Sequence, residues 1–154
     1  MSRSQSAPSC FSVGYNQTQE EVTMTKLIVS VDRPNLTDMQ LNRRRKDFEY
    51  LLGRLNVRYE VAEGCWEGER EQSYMIKLDG SKHYRKIRDV AFGRFDQDAV
   101  LKVSAYGGAT LLFSDGQEEP IGEFIQVNEK PEDQCYTQRF SDGAVFVVKT
   151  SSSL

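Results

Sequence analysis

The order of strand and helix patterns constrains the fold of this chain more than any other feature of its sequence. Alternating apolar residues predict four strands, over residues 26–32, 57–62, 72–78 and 99–103. Apolar residues at helical spacing predict one helix between the first two strands and another between the last two. Thr37 and Gln40 have the spacing of a capping box, which marks the start of the first helix.

This order, strand, helix, strand, strand, helix, strand, is that of a βαββαβ ferredoxin-like fold. Such a fold is an α+β sandwich, in which an antiparallel sheet carries its helices on one face. Further strand patterns follow over residues 110–113, 121–127 and 134–149. We therefore predict a ferredoxin-like core with extra C-terminal strands. The second face of the sheet needs a cover, which a neighbouring subunit would supply.

The chain of 154 residues is predicted to hold one folded domain, over residues 24–150. Residues 1–23 are rich in Ser, Gln and Thr and lack apolar periodicity, so we expect a disordered tail. Met24 follows this tail and is an alternative start of the protein. Neither a membrane span nor a signal peptide is expected, since no apolar run reaches the required length.

Charge and residue types exclude several functional classes. A net charge of −3 argues against a protein that binds nucleic acid through its phosphates. The three cysteines and the single histidine, His83, lack the spacing of metal ligands, so no metal site is expected. Free thiols in a reducing cytoplasm are the simplest interpretation of the cysteines. Glycine-rich phosphate loops and the GxSxG motif of hydrolases are missing from the sequence.

An acidic stretch over residues 60–71 is the main candidate for a binding site. Its five glutamates surround Trp66, which offers an aromatic face to a small cation. Strand alternation places Glu71 on the face of the sheet opposite the helices. If another subunit removed water from that face, the pKa of a carboxylate there would be strongly perturbed. The alternative is a solvated acidic hairpin loop without a ligand. A basic run over residues 43–46 is interpreted as a solvated helix face.

Gln97 opens the fourth predicted strand and is a second candidate, because an amide both donates and accepts hydrogen bonds. The alternative at this position is an ordinary polar residue at the start of a strand.

Several short motifs, taken in order, resemble the S-adenosylmethionine-cleaving enzymes of bacteriophages, called SAM lyases and formerly SAM hydrolases. The resemblance covers residues 25–149 and departs from the coliphage enzyme between Trp66 and Glu71, where that enzyme has more residues. The motifs are Leu27-Ile-Val-Ser-Val-Asp-Arg33-x-Asn-Leu-x-Asp38, Arg44, Gly64-Cys65-aromatic, Glu71, Gln97-Asp98-x-Val-Leu101, Gly122-x-Phe-x-x-Val127 and Cys135-Tyr-Thr137.

The resemblance implies an enzyme that cleaves S-adenosylmethionine without a cofactor or metal. The substrate carboxylate attacks its own γ-carbon, which releases 5′-methylthioadenosine and leaves L-homoserine lactone. It also implies a phage-encoded homotrimer with active sites between subunits, which acts in the host cytoplasm, lowers host S-adenosylmethionine and counters restriction–modification. Neither a nucleic-acid partner nor a membrane is implied, and a host protein partner is left open.

The resemblance also suggests roles for individual residues. Glu71 is implied as the catalytic or substrate-orienting carboxylate, and Gln97 as a substrate-binding residue. Glu69 is the rival of Glu71, because a hairpin register shifted by two residues would exchange them. The remaining implied substrate-binding residues are Ser30, Arg33, Asn35, Trp66 and Tyr74.

Three alternative functions stay open on the sequence alone. A hydrolase would use a carboxylate to activate water and would form homoserine directly. A non-catalytic inhibitor would dock on a host enzyme through the basic run or the acidic stretch. A ligand-binding trimer would bind a nucleotide without turning it over. Only the two enzymes would convert pure S-adenosylmethionine.

Overall fold

The computed structural model describes residues 25–66, 69–79, 82–131 and 135–150. The predicted tail over residues 1–23 lies outside them. Within the described part, two helices interrupt the first strands, and five successive strands follow the second helix. The elements are β1 Thr25–Ser30, α1 Asp38–Leu55, β2 Arg58–Trp66, β3 Glu69–Leu78, α2 Tyr84–Gly93, β4 Ala99–Val103, β5 Gly108–Phe113, β6 Glu118–Val127, β7 Tyr136–Arg139 and β8 Val145–Lys149.

The predicted fold class is wrong, because the strands close into an antiparallel barrel rather than forming a ferredoxin-like sandwich. Their order around the barrel is β1-β3-β2-β7-β8-β6-β5-β4. A ferredoxin-like sheet would leave β2 and β4 at its edges, but β2 pairs with β7 and β4 pairs with β5. β8 then joins β7 to β6 and completes the circle. Closure pairs both edges of every strand in the described part.

The face of the sheet that was expected to be uncovered is the interior of this barrel. Side chains alternate along each strand, so one set fills the barrel and the other points outward. Ile28, Met75, Leu101 and Phe124 belong to the buried inner cluster. This face is therefore covered within the chain and needs no neighbouring subunit, contrary to the expectation from the ferredoxin-like fold.

Both helices pack against the outside of the barrel over β1 and β3. Phe48 of α1 and Ile87 of α2 are fully buried there together with Tyr74 of β3. The predicted capping box is confirmed, since Thr37 and Gln40 each accept the backbone N–H of the other, at 3.1 and 2.9 Å. In this part of the chain, neither helix is long and apolar enough to cross a membrane.

The acidic stretch forms paired strands rather than a loop. β2 and β3 pair as far as Trp66 and Glu69, and Glu71 lies directly across from Gly64. Glu71 has the same parity as Ser73 and Met75, and Met75 points into the barrel. Glu71 thus faces inward near the turn end of the hairpin.

The prediction of free thiols agrees with the structure at one position only. Cys65 is buried and free. Cys135 is disulfide-bonded, so the prediction is wrong at that residue. Cys10 lies outside the described residues.

Candidate functional site

An open groove of about 500 Å³ lies where the end of β1, the start of α1 and the β2–β3 hairpin meet. A volume of this size is in the range of about 300–1,000 Å³ that suits a small organic ligand. Most of its lining residues are charged, and three are apolar. The lining consists of Asp32, Arg33, Pro34, Leu41, Arg45, Glu63, Glu69, Arg70, Glu71, Gln72 and Phe140.

The groove carries both signs of charge, which suits a zwitterionic ligand. Its carboxylates belong to Asp32, Glu63, Glu69 and Glu71, and its guanidinium groups to Arg33, Arg45 and Arg70. Carboxylates offer counter-charge to an ammonium or sulfonium group, and guanidinium groups pair with a ligand carboxylate. A ligand with separated positive and negative groups therefore finds partners for both in one groove.

Asp32 organises the floor of the groove. Its two carboxylate oxygens accept hydrogen bonds from Arg45 Nε at 2.9 Å and from Arg45 Nη2 at 2.7 Å. One of the same oxygens accepts the backbone N–H of Gln72 at 2.9 Å. Asp32 thereby connects the end of β1 to α1 and to β3. The hydrogen bond with Asp32 raises the pKa of Arg45 above its ordinary value, so this guanidinium stays charged.

Residues behind the groove hold the backbone of Asp32 in place. Ser30 Oγ accepts the N–H of Asp32 at 3.0 Å. Gln97 Nε2 donates to the carbonyl oxygen of Asp32 at 3.0 Å and to that of Phe95 at 3.2 Å. Arg44 donates to the carbonyl oxygens of Val31 and Phe95 and lies over the Phe95 ring. These polar contacts lock the turn that presents Asp32.

Glu71 lies at the boundary between the groove and the barrel interior. It lines the groove and also a small inner cavity of about 30 Å³. Gly64, Ser73 and Thr137 line that cavity beside it, together with apolar residues of the barrel. This volume exceeds the about 10–15 Å³ that a cavity needs to hold one water molecule, so the cavity suits water.

Glu63 forms the outer wall of the groove and is held by a tyrosine. The Tyr136 hydroxyl donates to Glu63 Oε1 at 2.8 Å, and Lys130 Nζ lies 4.0 Å from the same oxygen. Burial and the bond to Glu63 raise the pKa of Tyr136 to about 12. Tyr136 therefore stays protonated at neutral pH and fixes the position of this carboxylate.

The structure brings three of the predicted site residues together in the groove: Arg33, Glu69 and Glu71. Arg33 also forms an ion pair with Asp98 at 3.5 Å. Asn35 lies next to the groove residue Pro34, in a turn, with a positive φ of 67°.

The other predicted site residues lie outside the lining of the groove. Ser30 and Gln97 are buried behind Asp32. Tyr74 is fully buried beneath α1, where its hydroxyl donates to Glu49 at 2.7 Å. Burial and this bond raise the pKa of Tyr74. The backbone of Trp66 pairs with Glu69 at the hairpin end, and its side chain lies outside the described residues.

Several lining residues were not identified from the sequence, namely Asp32, Pro34, Leu41, Arg45, Gln72 and Phe140, whereas Glu63 belongs to the predicted acidic stretch. The interpretation of residues 43–46 as a solvated face is wrong for Arg44 and Arg45. A signal was present, because four consecutive helical residues cover more than a full turn and cannot all face the solvent. Nothing local distinguishes Phe140, which reaches the groove only through the barrel closure.

Comparison with known proteins supports one family. A comparison with curated proteins gave no match. The sequence profile of the S-Adenosylmethionine lyase family, in contrast, matches residues 27–149, which include every described residue of the groove and of the barrel strands except the first two residues of β1. The chain therefore belongs to the S-adenosylmethionine lyase family and is an enzyme that acts on S-adenosylmethionine.

Proposed function

We propose that this enzyme cleaves S-adenosylmethionine into 5′-methylthioadenosine and L-homoserine lactone in the groove that Glu71 and Asp32 share. The observation that carries the proposal is the position of Glu71, which lines both the charged groove and the polar end of the barrel interior. A carboxylate at this position can contact a substrate in the groove on one side, while residues of the barrel interior surround the carboxylate on its other side.

The substrate fits the distribution of charge in the groove. S-adenosylmethionine carries a sulfonium, an ammonium and a carboxylate on one short arm. Glu69 and Glu71 offer counter-charge to the sulfonium and the ammonium, and Arg33 or Arg70 offers a partner to the carboxylate. Arg45 is already paired with Asp32 through two hydrogen bonds, so its role is to hold the floor of the groove.

The chemical step forms one bond and breaks another. A carboxylate oxygen of the substrate attacks the γ-carbon, and the C–S bond breaks as its electron pair leaves with the sulfur. Charge is conserved, because the carboxylate loses its negative charge as the sulfonium loses its positive charge. The enzyme contributes the curled conformation of the arm and a fixed electrostatic environment, so the step needs neither a general base nor a cofactor.

A hydrolase remains a second candidate because of the inner cavity beside Glu71. Its volume of about 30 Å³ suits water, and Ser73 and Thr137 line it with hydroxyl groups. A water activated by Glu71 would attack the same γ-carbon and would form homoserine directly. The two reactions share the groove and differ only in the nucleophile.

The biological part of the proposal rests on the resemblance of the motifs to phage enzymes. We propose a phage-encoded enzyme that lowers S-adenosylmethionine in the host cytoplasm and thereby counters restriction–modification. We also propose a homotrimer with active sites between subunits. The groove is open on one side, so a neighbouring subunit has a place to close it.

Replacement of the two groove carboxylates on β3 tests the site. We expect Glu71→Gln to keep the fold and to lose most of the cleavage of pure S-adenosylmethionine, measured as 5′-methylthioadenosine by chromatography. Glu69→Gln is the comparison variant, because it removes the same charge from the same groove without touching the inner cavity, and we expect it to weaken substrate binding more than it slows cleavage. Turnover near wild type in Glu71→Gln would contradict the role of Glu71. Loss in Glu69→Gln alone would transfer that role to Glu69.

A further inference from the structure

An exposed aromatic ring lies at the rim of the groove without a partner in the proposed chemistry. Phe140 lies in the turn between β7 and β8 and is 59% exposed. The described part of the chain has four large hydrophobic residues with such exposure, and Phe140 is the one that lines the groove; the others are Met39, Tyr50 and Tyr106. With Pro34 and Leu41, it forms the apolar part of a lining that is otherwise polar or charged.

The turn that presents Phe140 is held by many hydrogen bonds. The Arg139 guanidinium donates to both oxygens of Asp142, at 2.9 and 2.7 Å. Asp142 also accepts the backbone N–H of Ala144 at 3.1 Å, and Arg139 O accepts the N–H of Gly143 at 2.9 Å. On the other side, Ser141 Oγ donates to Glu60 at 3.2 Å.

The backbone of Phe140 itself is fixed to the barrel. Its N–H donates to the carbonyl oxygen of Val61 at 3.0 Å. The Arg139 side chain packs over the Phe146 ring, 5.4 Å from its centroid. Because the backbone of this turn is held at several points, the position of Phe140 is fixed before any ligand arrives, and a ligand that stacks on its ring loses less entropy on binding.

We propose that Phe140 is the platform on which the adenine ring of S-adenosylmethionine stacks. This inference deepens the proposed function and rests on it for the identity of the substrate. The charged side of the groove suits the methionine arm of the substrate. The adenine, a planar and uncharged heteroaromatic ring, then needs a separate binding surface. Phe140 offers that ring an exposed aromatic face, with Pro34 and Leu41 as further apolar contacts. Phe140 is thus a specificity-determining residue for the adenosyl group.

The test is the binding of 5′-methylthioadenosine, which has the adenine ring but lacks the methionine arm. Calorimetry with the full chain would compare wild type with Phe140→Ala, Phe140→Leu and Phe140→Trp. We expect Phe140→Ala to weaken binding about 5- to 30-fold, in the range of a single base stacked on an aromatic ring. Phe140→Trp should bind close to wild type because it keeps the ring, and Phe140→Leu should resemble Phe140→Ala.

Tyr106→Ala is the matched control, since Tyr106 is an aromatic residue that is 79% exposed and does not line the groove. Thermal unfolding of each variant would show that the fold is kept. Wild-type affinity in Phe140→Ala would overturn the proposal, and so would equal losses in Phe140→Ala and Tyr106→Ala. A changed oligomeric state with unchanged affinity would also overturn it and make Phe140 a subunit contact. Cleavage of S-adenosylmethionine by the wild type is a separate readout, so failure of the proposed reaction is distinguishable from failure of this inference.

Discussion

The carboxylate of Asp32 accepts the backbone N–H of Gln72 at 2.9 Å, across 40 residues of chain. This bond joins the end of β1 to the residue that follows Glu71. Asp32 is 8% exposed and receives two further hydrogen bonds from Arg45. The position of Glu71 at the mouth of the barrel therefore depends on the carboxylate of Asp32, which lies two residues beyond the end of β1.

Asp32→Asn tests this dependence. The amide would turn two N–H donors toward groups that themselves donate, so we expect a loss of about 1–3 kcal/mol in the free energy of unfolding. We also expect kcat for S-adenosylmethionine to fall, because the backbone beside Glu71 loses its anchor. Urea denaturation and steady-state kinetics measure the two effects.

Asp47→Asn is the control for Asp32→Asn. Asp47 forms an exposed ion pair with Arg94 at 3.5 Å, away from the groove. Loss of such a pair costs about 0–1 kcal/mol. If both variants kept wild-type kcat, Asp32 would be a structural residue without influence on Glu71.

Gly64→Ala tests the space beside Glu71. Gly64 lies directly across from Glu71, and a Cβ at this position would come within 2.6 Å of Ser73 Oγ. We expect the crowded Ser73 hydroxyl to shift inside the cavity and to displace the Glu71 side chain, so that kcat falls. The cost in unfolding free energy should be about 1–3 kcal/mol, as for a core residue that is overpacked.

The double variant Gly64→Ala/Ser73→Ala makes this prediction specific, because it removes the hydroxyl that the new methyl group contacts. We expect it to recover part of the activity that Gly64→Ala loses. A double variant that is no better than Gly64→Ala, while Ser73→Ala alone is active, would show that the contact with Ser73 is not the cause.

Asp142 gives the turn of Phe140 a defined pH dependence. The hydrogen bonds from Arg139 and from the backbone of Ala144 lower the pKa of Asp142 from 3.8 to about 2. Since the folded-state pKa is depressed, the stabilisation is complete above 3.8 and is lost as the pH falls toward about 2. We expect Asp142→Asn to be less stable than wild type at pH 6, with a difference that disappears across this window.

Urea denaturation at a series of pH values measures that difference. Asp89→Asn serves as the comparison, because Asp89 is an exposed residue paired with Arg88 on α2. The prediction would be contradicted if the difference in unfolding free energy between wild type and Asp142→Asn stayed constant from pH 6 to pH 2. The hydrogen bonds to Asp142 would then not be the cause of the difference.

Local signals in the sequence predicted the elements that depend on local physics. Thr37 and Gln40 mark the start of α1, and the alternation in β3 places Glu71 and Tyr74 on opposite faces. The barrel closure was not predictable in this way. It rests on pairs such as Cys65 with Tyr136, which are distant in the chain, and β7 has only four residues in which to show a pattern.

The register shift between β5 and β6 was not predictable from local signals either. Gly122 has a φ of 135°, and a Cβ there would overlap the carbonyl oxygen of Lys149 on β8. The register of β5 and β6 shifts beside it. The sequence shows this glycine only as part of a motif, because the need for a residue without a Cβ becomes evident once β8 lies next to β6.

The groove was predictable only in part for the same reason. Glu69, Glu71 and Arg33 are charged residues within short motifs, so the sequence alone indicates that they could bind a charged ligand. Asp32 and Arg45 are ordinary charged residues until the fold places them together, and their bidentate pair is what shapes the groove floor. The substrate-binding role of Gln97 stays a prediction, and the structure adds that its amide donates to the backbone carbonyl of Asp32.

The origin of the oxygen atoms in the product tests the central claim most directly. Wild-type protein would be incubated with S-adenosylmethionine in ¹⁸O-labelled water, and the products would be followed by NMR and mass spectrometry. We predict 5′-methylthioadenosine and unlabelled homoserine lactone first, followed by homoserine with ¹⁸O in its carboxylate as the lactone opens. Homoserine with ¹⁸O in its hydroxyl group, formed without prior lactone, would contradict intramolecular attack and establish hydrolysis. If no 5′-methylthioadenosine were formed, the proposed cleavage itself would be wrong.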